Sequence, residues 1–319
     1  MDSNLKNNPQ HSTVNQSVND EIDLHELFLV MWHNKRIITA ITTLFAVVAV
    51  VYALNQADIY KSEALLAPAE QEKAGGLGAL AGQFGGLASL AGVNLGAGGS
   101  VDKNQLALEV LNSRKFASDF MQKHAVLPDL MAAKTWQRET NTIIYDDEIY
   151  LTSENKWVRE VEPPFKPEPS MQEAYKKFKE IVTTNVDKES GMVTLSVEHV
   201  SPYVAQQWVD WLIADINQTM KELDVIEANK STEFLTQQIE QTKIADIRVV
   251  LYSLIEEQTK TIMFANVRSE YAFKTIDPAL VAEEKFKPKR ALIAVLGTLL
   301  GGILSVMLVL VRNFIKKAD

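Results

Sequence analysis

Cysteine is absent from the 319 residues of this chain. Its absence excludes a disulfide framework, a thiol nucleophile and a cysteine-based metal site. Nucleotide-binding loops are lacking as well, because no segment has the form G-x-x-x-x-G-K-S/T. Gly76–Ala81 faintly resembles a dinucleotide fingerprint, but no βαβ pattern surrounds it. The sequence therefore gives no support for a nucleotide-dependent enzyme.

Side chains that could carry catalysis are few and scattered. Five histidines occur without the spacing of a metal site: His11, His25, His33, His124 and His199. Asp146, Asp147 and Glu148 stand together among polar residues, which is typical of a solvated turn. The net charge of −9 disfavours nucleic acid as a partner. We therefore expect no enzymatic activity, no cofactor, no bound metal and no nucleic acid.

Charge is missing from two long apolar runs, Ile37–Leu54 and Ala291–Val311. As helices, their 18 and 21 residues would be about 27 and 32 Å long, close to the roughly 30 Å of a bilayer core. We therefore predict two transmembrane helices. Residues 55–290 between them carry 26 Lys and Arg and 35 Asp and Glu, which no bilayer interior would accommodate. They predict a soluble domain that is held in the membrane at both ends.

The orientation of the chain follows from the residues beside the first run. Lys35 and Arg36 directly precede it and, by the positive-inside rule, predict a cytoplasmic N-terminus. Val51–Ala53 would suit a signal-peptide cleavage site, but the preceding residues form a long acidic leader, unlike that of a signal peptide. Two crossings then return the C-terminus to the cytoplasm, and the domain between them faces outward.

These patterns predict a division of the chain into five parts. They are a cytoplasmic tail with an interfacial helix over 1–36, a transmembrane helix over 37–54, the soluble domain over 55–290, a transmembrane helix over 291–311 and a cytoplasmic tail over 312–319. Ten of the fourteen glycines fall within the apolar segment 74–100. A flexible linker and a closely packed helix or loop both fit this segment, and its role stays open.

A long helical region is predicted over 201–265. Ser201 supplies an N-cap and Pro202 the first helical residue, and no proline or glycine follows before Ala265. A continuous helix from Val225 to Phe264 would be roughly 60 Å long, too long to be buried within one modest domain. It would have to project or pair with neighbours. We therefore predict a helical arm.

The rest of the domain mixes strands and helices. Alternating or β-branched residues predict strands over 59–66, 193–199 and 271–276. Periodic apolar residues predict a helix over Asn104–Lys123, and four prolines predict an exposed loop over Asp146–Ser170. We therefore predict the α+β class: two transmembrane helices flank a domain whose membrane-proximal base is mixed α/β and carries the arm.

Small residues are concentrated in the second apolar run. Gly297 and Gly301 form a GxxxG pattern, Gly302 follows, and Ser305 extends the row. Such rows allow two helix backbones to approach closely in lipid, although glycine is also commoner in membrane helices generally. We predict a packing role, with the first anchor, another copy of the chain or another membrane protein as the partner.

Several segments together resemble a known family. They are Asp20–Leu27 before the first anchor, Leu106–Arg114, Ala265–Arg268, Tyr271–Pro278 and Lys287–Ile293. In this order they are similar to the chain length determinant proteins, the Wzz-type polysaccharide co-polymerases of Gram-negative inner membranes. The resemblance assigns Asn266, Val267, Arg268, Asp277 and Pro278 to the segment that returns to the membrane. It assigns Pro288, Lys289 and Arg290 to the motif that leads into the second anchor.

The resemblance implies a periplasmic domain, assembly of copies into a ring-shaped homo-oligomer, and a non-enzymatic function. That function would be to regulate the modal chain length of the lipopolysaccharide O-antigen, with an inner-membrane polymerase and the lipid-linked polysaccharide as partners. The alternative is an adaptor or co-polymerase for capsule, exopolysaccharide or enterobacterial common antigen. A two-anchor sensor is a third reading, but Arg312–Asp319 is too short for an output domain.

Some residues depart from the family pattern. Lys287 stands where relatives often have serine, and Ala282 where they often have proline. The glycine-rich segment 74–100 is more pronounced than in enterobacterial members. The tail 312–319 is too short for the tyrosine-kinase domain of capsule-type relatives, so in that branch we expect the kinase to be a separate chain. The identity of the glycan is therefore open.

Overall fold

The computed structural model describes residues 24–69 and 103–318. The glycine-rich segment 74–100 and the greater part of the N-terminal tail lie outside the described residues. The chain divides into two compact units, one formed by its two ends, 1–55 with 289–319, and the other by residues 56–288. The division predicted from the sequence, with a soluble domain over 55–290, stays a prediction.

Helices and strands alternate along the described chain. The helices are α1 (Leu24–His33), α2 (Lys35–Asn55), α3 (Lys103–Leu111), α4 (Arg114–Lys123), α5 (Leu127–Ala132), α6 (Met171–Ile181), α7 (Pro202–Gln241), α8 (Ala245–Val267) and α9 (Arg290–Ala318). The strands are β1 (Tyr60–Pro68), β2 (Ala133–Gln137), β3 (Thr142–Tyr145), β4 (Tyr150–Leu151), β5 (Lys156–Trp157), β6 (Val182–Val186), β7 (Val193–His199) and β8 (Phe273–Asp277).

The first unit contains the two apolar helices. Among the described residues, Lys35–Asn55 and Arg290–Ile315 are long and apolar enough to cross a membrane, each with a mean hydropathy of 2.5. They include both predicted anchors, 37–54 and 291–311. The helix predicted before the first anchor is α1, which a single residue separates from α2. That residue, Asn34, donates its side-chain amide to the carbonyl of Val30 at 2.9 Å.

An antiparallel four-stranded sheet in the order β6-β7-β1-β8 forms the base of the second unit. Ala64 pairs with Leu195 at the centre, and Val182 pairs with Val197 on the β6 side. Val193, Leu195 and Val197 are all buried, and the predicted strand is confirmed. The strand is more deeply buried than the half-buried pattern predicted, because Ser196 and His199 are buried as well. A register shift between Leu65 and Leu66 interrupts the pairing with β8.

The hydrophobic core lies between this sheet and the helices α3 to α7. Trp208, Leu212 and Ile216 recur at four-residue spacing on α7 and are completely buried. Each such side chain contributes roughly 1.5–3 kcal/mol through removal of apolar surface from water. The helix begins as predicted, because the hydroxyl of Ser201 accepts from the N–H of Val204 at 3.4 Å and Pro202 follows it. The α+β prediction is confirmed.

The arm is a helical hairpin, so the continuous helix considered for Val225–Phe264 is not formed. The chain leaves helical geometry at Thr242 and resumes it after Ile244. The C-terminal half of α7 packs on α8 through a second apolar cluster of Leu235, Ile239, Val250, Leu251 and Leu254. A single long helix would leave its apolar stripe in water, whereas folding back buries it. The predicted helical arm is confirmed in this paired form.

Two other predicted segments differ from the structure. The helix predicted over Asn104–Lys123 is broken into α3 and α4, because Ser113 caps α4 by accepting from the N–H of Phe116 at 3.1 Å. The loop predicted over Asp146–Ser170 contains the short hairpin β4–β5. The hairpin β2–β3 was not predicted at all, since its strands are only five and four residues long.

Candidate functional site

The row of small residues on α9 lies against α2 of the same chain. A Cβ added at Gly297 would overlap the Cβ of Ala49, and one added at Gly301 would lie 2.5 Å from the Cβ of Phe45. Real Cβ atoms do not approach other atoms this closely, so both positions require glycine at the present helix separation. Of the three predicted partners, the structure thus places the first anchor here.

Ser305 and Gly302 occupy different environments in the same helix. Ser305 is completely buried, its hydroxyl donates to the carbonyl of Gly302 at 2.7 Å, and the hydroxyl of Thr42 lies 3.4 Å from it. A Cβ added at Gly302 would meet nothing within 4 Å. Gly302 is therefore not required by the contact with α2, whereas Ser305 continues the row that Gly297 and Gly301 begin.

The residues of α2 that contact this row of small residues were not predicted from the sequence. Thr42, Phe45 and Ala49 follow one another at spacings of three and four, which places them on one face of a helix. They meet Ser305, Gly301 and Gly297 in reverse order, as antiparallel helices require. Their spacing was visible in the sequence, but the neighbouring residues of the anchor are likewise apolar or threonine, so it did not stand out.

The residues of the predicted membrane-entry motif, Pro288, Lys289 and Arg290, lie at the start of α9, and Arg290 is the first residue of that helix. The guanidinium Nε of Arg290 donates to the carbonyl of Ala53 at 3.1 Å, in the last turn of α2. A cation at this position compensates the partial negative charge of a helix C-terminus. Lys289 is exposed, and its carbonyl accepts from the N–H of Ile293 at 3.2 Å. Pro288, which precedes it, is half-buried.

Within the second unit, the first and last segments pair with each other. The N–H of Ile59 donates to the carbonyl of Lys287 at 2.9 Å, and the N–H of Phe286 donates to the carbonyl of Ile59 at 2.8 Å. The ammonium of Lys287 forms an ion pair with Glu198 at 2.6 Å. The chain therefore enters and leaves this unit at adjacent positions, although Lys287 replaces the serine of the family pattern.

The predicted membrane-returning residues lie at the two ends of the segment that contains β8. Asn266 and Val267 end α8 with exposed side chains, and the guanidinium of Arg268 lies over the Phe264 ring at 4.8 Å. Asp277 and Pro278 end β8 and are also exposed.

Asn217 of α7, which was not predicted from the sequence, holds this returning segment against the core. Its Oδ1 accepts from the N–H groups of Ala272 and Phe273 at 2.7 and 2.9 Å, and its Nδ2 donates to the carbonyl of Phe273 at 3.0 Å. The residue is only 4% exposed. The sequence did contain one signal for this role, an asparagine within an apolar face of the helix. Such a side chain needs hydrogen-bond partners once it is buried.

Asp224 makes a second attachment two turns further along α7. Its Oδ2 accepts from the hydroxyl of Tyr271 at 2.6 Å and from the ammonium of Lys103 at 2.7 Å. Burial, followed by the hydrogen bond and charge of Asp224, raises the pKa of the Tyr271 phenol. Tyr271 therefore remains a donor throughout the physiological pH range, and α3, α7 and the returning segment are held at one point.

The histidines and acidic residues considered for catalysis make packing and hydrogen-bond contacts within the fold. Burial lowers the pKa of His199, whose Nδ1 accepts from the N–H of Ser201 at 3.1 Å. The ring of His124 stacks on Trp211 with a centroid separation of 4.2 Å. Asp146 accepts from the N–H of Glu148 at 3.2 Å, which confirms the predicted turn. Within residues 24–69 and 103–318, no group of three His, Asp or Glu side chains could hold a metal ion.

The chain has the organisation of a two-anchor membrane protein: two candidate membrane helices that pair with each other, and between them in the sequence an α+β unit with a helical hairpin. Residues 20–124 match the family model of Wzz, described as "Chain length determinant protein". This match confirms the predicted resemblance to the chain length determinant family over those residues. Together with the two candidate membrane helices it supports an inner-membrane protein with a role in polysaccharide chain length. Residues 251–314 match a second family model, GNVR, described as "G-rich domain on putative tyrosine kinase".

Two solved structures are also similar to the chain. A full-length bacterial polysaccharide co-polymerase is 16% identical, with 93% of this chain and 99% of that chain covered and a TM-score of 0.38. A fragment of WzzB, the polysaccharide co-polymerase from Salmonella Typhimurium, is 10% identical, with coverage of 72% and 100% and a TM-score of 0.29. At these TM-scores neither likeness carries an argument about this chain. No curated protein sequence matches it significantly.

Proposed function

We propose that this chain is a non-enzymatic polysaccharide co-polymerase that regulates the modal length of lipopolysaccharide O-antigen. The observation that carries the proposal is the chain length determinant match over residues 20–124, which extends from before the first anchor into the soluble unit. The pairing of α2 with α9 supports it, because a protein of this type must present its domain from a membrane hairpin. No step of the proposed function requires a cofactor.

The proposed topology places both termini in the cytoplasm and residues 56–288 in the periplasm of a Gram-negative cell. Lys35 and Arg36 at the start of α2 support this orientation through the positive-inside rule. In this arrangement the domain would meet the growing lipid-linked polysaccharide, and the paired anchors would lie beside the O-antigen polymerase. Both partners are part of the proposal.

The proposal includes assembly of copies into a ring, for which the arm offers apolar surface. Phe234 on α7 and Val249 and Tyr252 on α8 are 54%, 64% and 58% exposed, outside the cluster that joins the two helices. Exposed aromatic and branched side chains of this kind are typical of surfaces that associate with another protein.

Introducing glutamate at Phe234 and Tyr252 should weaken self-association of the purified full-length protein. Two carboxylates on the apolar arm surface would have to be desolvated on association, so we expect the oligomer to dissociate at concentrations about tenfold higher than for the wild type. Analytical ultracentrifugation in detergent would measure this. Asn229→Glu on α7, compared with Phe234→Glu alone, adds the same single charge at an exposed polar position and should leave the oligomer intact. An unchanged oligomer in the double variant would contradict a role of the arm in assembly.

A second candidate function is favoured by the GNVR match over residues 251–314. That family is described by its association with tyrosine kinases, which supports co-polymerase action in capsule or exopolysaccharide assembly. The same anchors and the same arm would serve this function, with a different glycan and a different polymerase. Enterobacterial common antigen belongs to the same group of alternatives.

Deletion of the gene should change the length distribution of one glycan, and complementation should restore it. If O-antigen is the substrate, a lipopolysaccharide gel of the deletion strain will show a random ladder in place of a clustered band. The same strains should be compared by size-exclusion chromatography of capsule, exopolysaccharide and common antigen. A change in one of those, with an unaltered lipopolysaccharide ladder, would favour the second candidate. Unchanged length distributions for every glycan would contradict both.

A further inference from the structure

An apolar groove of about 650 Å³ runs along the anchor unit between α2 and α9. Ile41 and Phe45 line it from α2, and Leu308 is among the large apolar side chains that line it from α9. Its volume falls within the range of roughly 300–1,000 Å³ that is usual for ligand clefts. One charged residue, Arg312, belongs to the lining.

The groove begins where the row of small residues ends. Gly297, Gly301 and Ser305 bring α9 close to α2, and the same spacing continues to Val309, which is buried. Beyond Ser305 the groove is lined by larger apolar side chains of α9, and Arg312 and Ile315, near the C-terminal end of the helix, belong to the same lining.

Arg312 is the first charged residue after the apolar run of α9, and its side chain is exposed. Among the described residues, none forms an ion pair with it. Lys316 and Lys317 follow one turn later in the same helix. A guanidinium at the edge of a bilayer core is stabilised by an anion, and phosphate matches its forked donors.

We propose that this groove binds an anionic phospholipid, with one acyl chain along the apolar lining and the headgroup phosphate at Arg312. The combination of chemistries selects this occupant, because a purely apolar ligand would leave the cation without a partner. The anchor helices of a second copy offer no counter-charge, since neither α2 nor α9 contains an aspartate or glutamate, and Glu26 of α1 is the one acidic residue in the described part of this unit. The lipid site does not depend on which glycan the protein acts on.

Native mass spectrometry of the purified full-length protein would test the site. Palmitoyl-oleoyl phosphatidylglycerol is titrated as the anionic probe, and phosphatidylcholine with the same chains is the zwitterionic reference. We expect the wild type to bind phosphatidylglycerol more tightly than phosphatidylcholine, and Arg312→Gln to weaken phosphatidylglycerol binding about tenfold, the loss of one charge-assisted phosphate contact. Arg312→Lys, which keeps the cation, should retain most of the binding.

Two further variants separate the groove from general attraction to a cationic protein. Lys289→Gln removes an exposed cation immediately before α9 and should leave binding unchanged. Leu308→Trp fills the groove with a larger side chain at a half-exposed position and should also weaken binding. Equal losses in Arg312→Gln and Lys289→Gln, or equal affinity of the wild type for both lipids, would overturn the proposal. So would a Leu308→Trp variant that changes the oligomeric state while binding lipid as before, because the groove would then be a contact between copies.

Discussion

Replacing Gly297 and Gly301 together with leucine should separate the two anchor helices and abolish control of glycan length. Even a Cβ at either position would overlap atoms of α2, and a leucine adds three more carbon atoms at each. Overpacking in a well-packed interface costs about 1–3 kcal/mol per site, and two neighbouring sites leave the helices no common arrangement. We therefore expect a random glycan ladder resembling that of the deletion strain.

The absence of cysteine allows this separation to be measured directly. Thr42→Cys and Ser305→Cys introduce thiols where the hydroxyl oxygens lie 3.4 Å apart, on a background without competing thiols. Oxidation should crosslink the two positions efficiently with the glycines present and at least about fivefold less in the double leucine variant, because the overlapping side chains force the helices apart.

Gly302 provides the matched control for the same experiment. A side chain there meets no atom within 4 Å of its Cβ, so Gly302→Leu should crosslink as the wild type does and preserve the length distribution. If the double variant at Gly297 and Gly301 also behaved like the wild type in both assays, the proposed packing role of the row would be wrong.

Removing the side-chain amide of Asn217 should strongly destabilise the soluble unit. Asn217→Ala leaves the N–H groups of Ala272 and Phe273 and the carbonyl of Phe273 without their partner inside the core. Buried groups left in this state cost about 1–3 kcal/mol each, so we expect a loss of about 3 kcal/mol or more in the free energy of unfolding. For a unit of this size the melting temperature should fall by roughly 6–12 °C.

Circular dichroism of the full-length protein would record this transition. Asn229→Ala, at an exposed position of the same helix, removes the same amide without breaking a described hydrogen bond and should change the free energy of unfolding by less than about 0.5 kcal/mol. A melting temperature of Asn217→Ala within about 2 °C of the wild type would show that the returning segment is held by other contacts.

The parts of the fold that could be predicted are those specified by short, regular sequence patterns. The anchors depend on runs of apolar residues alone, and β7 depends on the alternation of Val193, Leu195 and Val197 with polar neighbours. The start of α7 depends on Ser201 and Pro202, whose effect is confined to the first helical turn. In each case the residues that determine the structure are adjacent in the chain.

The turn between α7 and α8 shows why other features were not predictable. Thr242–Ile244 contains neither proline nor glycine, so nothing local marks the end of a helix there. The chain turns because Leu235 and Ile239 bury their side chains against Val250, Leu251 and Leu254. The choice between a continuous helix and a hairpin is therefore made by packing rather than by helix propensity.

The candidate site likewise has features that were predictable from the sequence and features that only the structure shows. The sequence by itself determined that the chain has two membrane anchors, that one of them carries a row of small residues, and that the soluble domain is α+β with a helical arm, because hydropathy and periodicity are local properties. Only the tertiary structure decided that Gly297 and Gly301 face Ala49 and Phe45, that Asn217 holds the returning segment, and that Arg312 borders an apolar groove. The contacts of the two glycines and of Asn217 join residues between 55 and 256 positions apart, and short-range patterns do not record which distant side chains will meet.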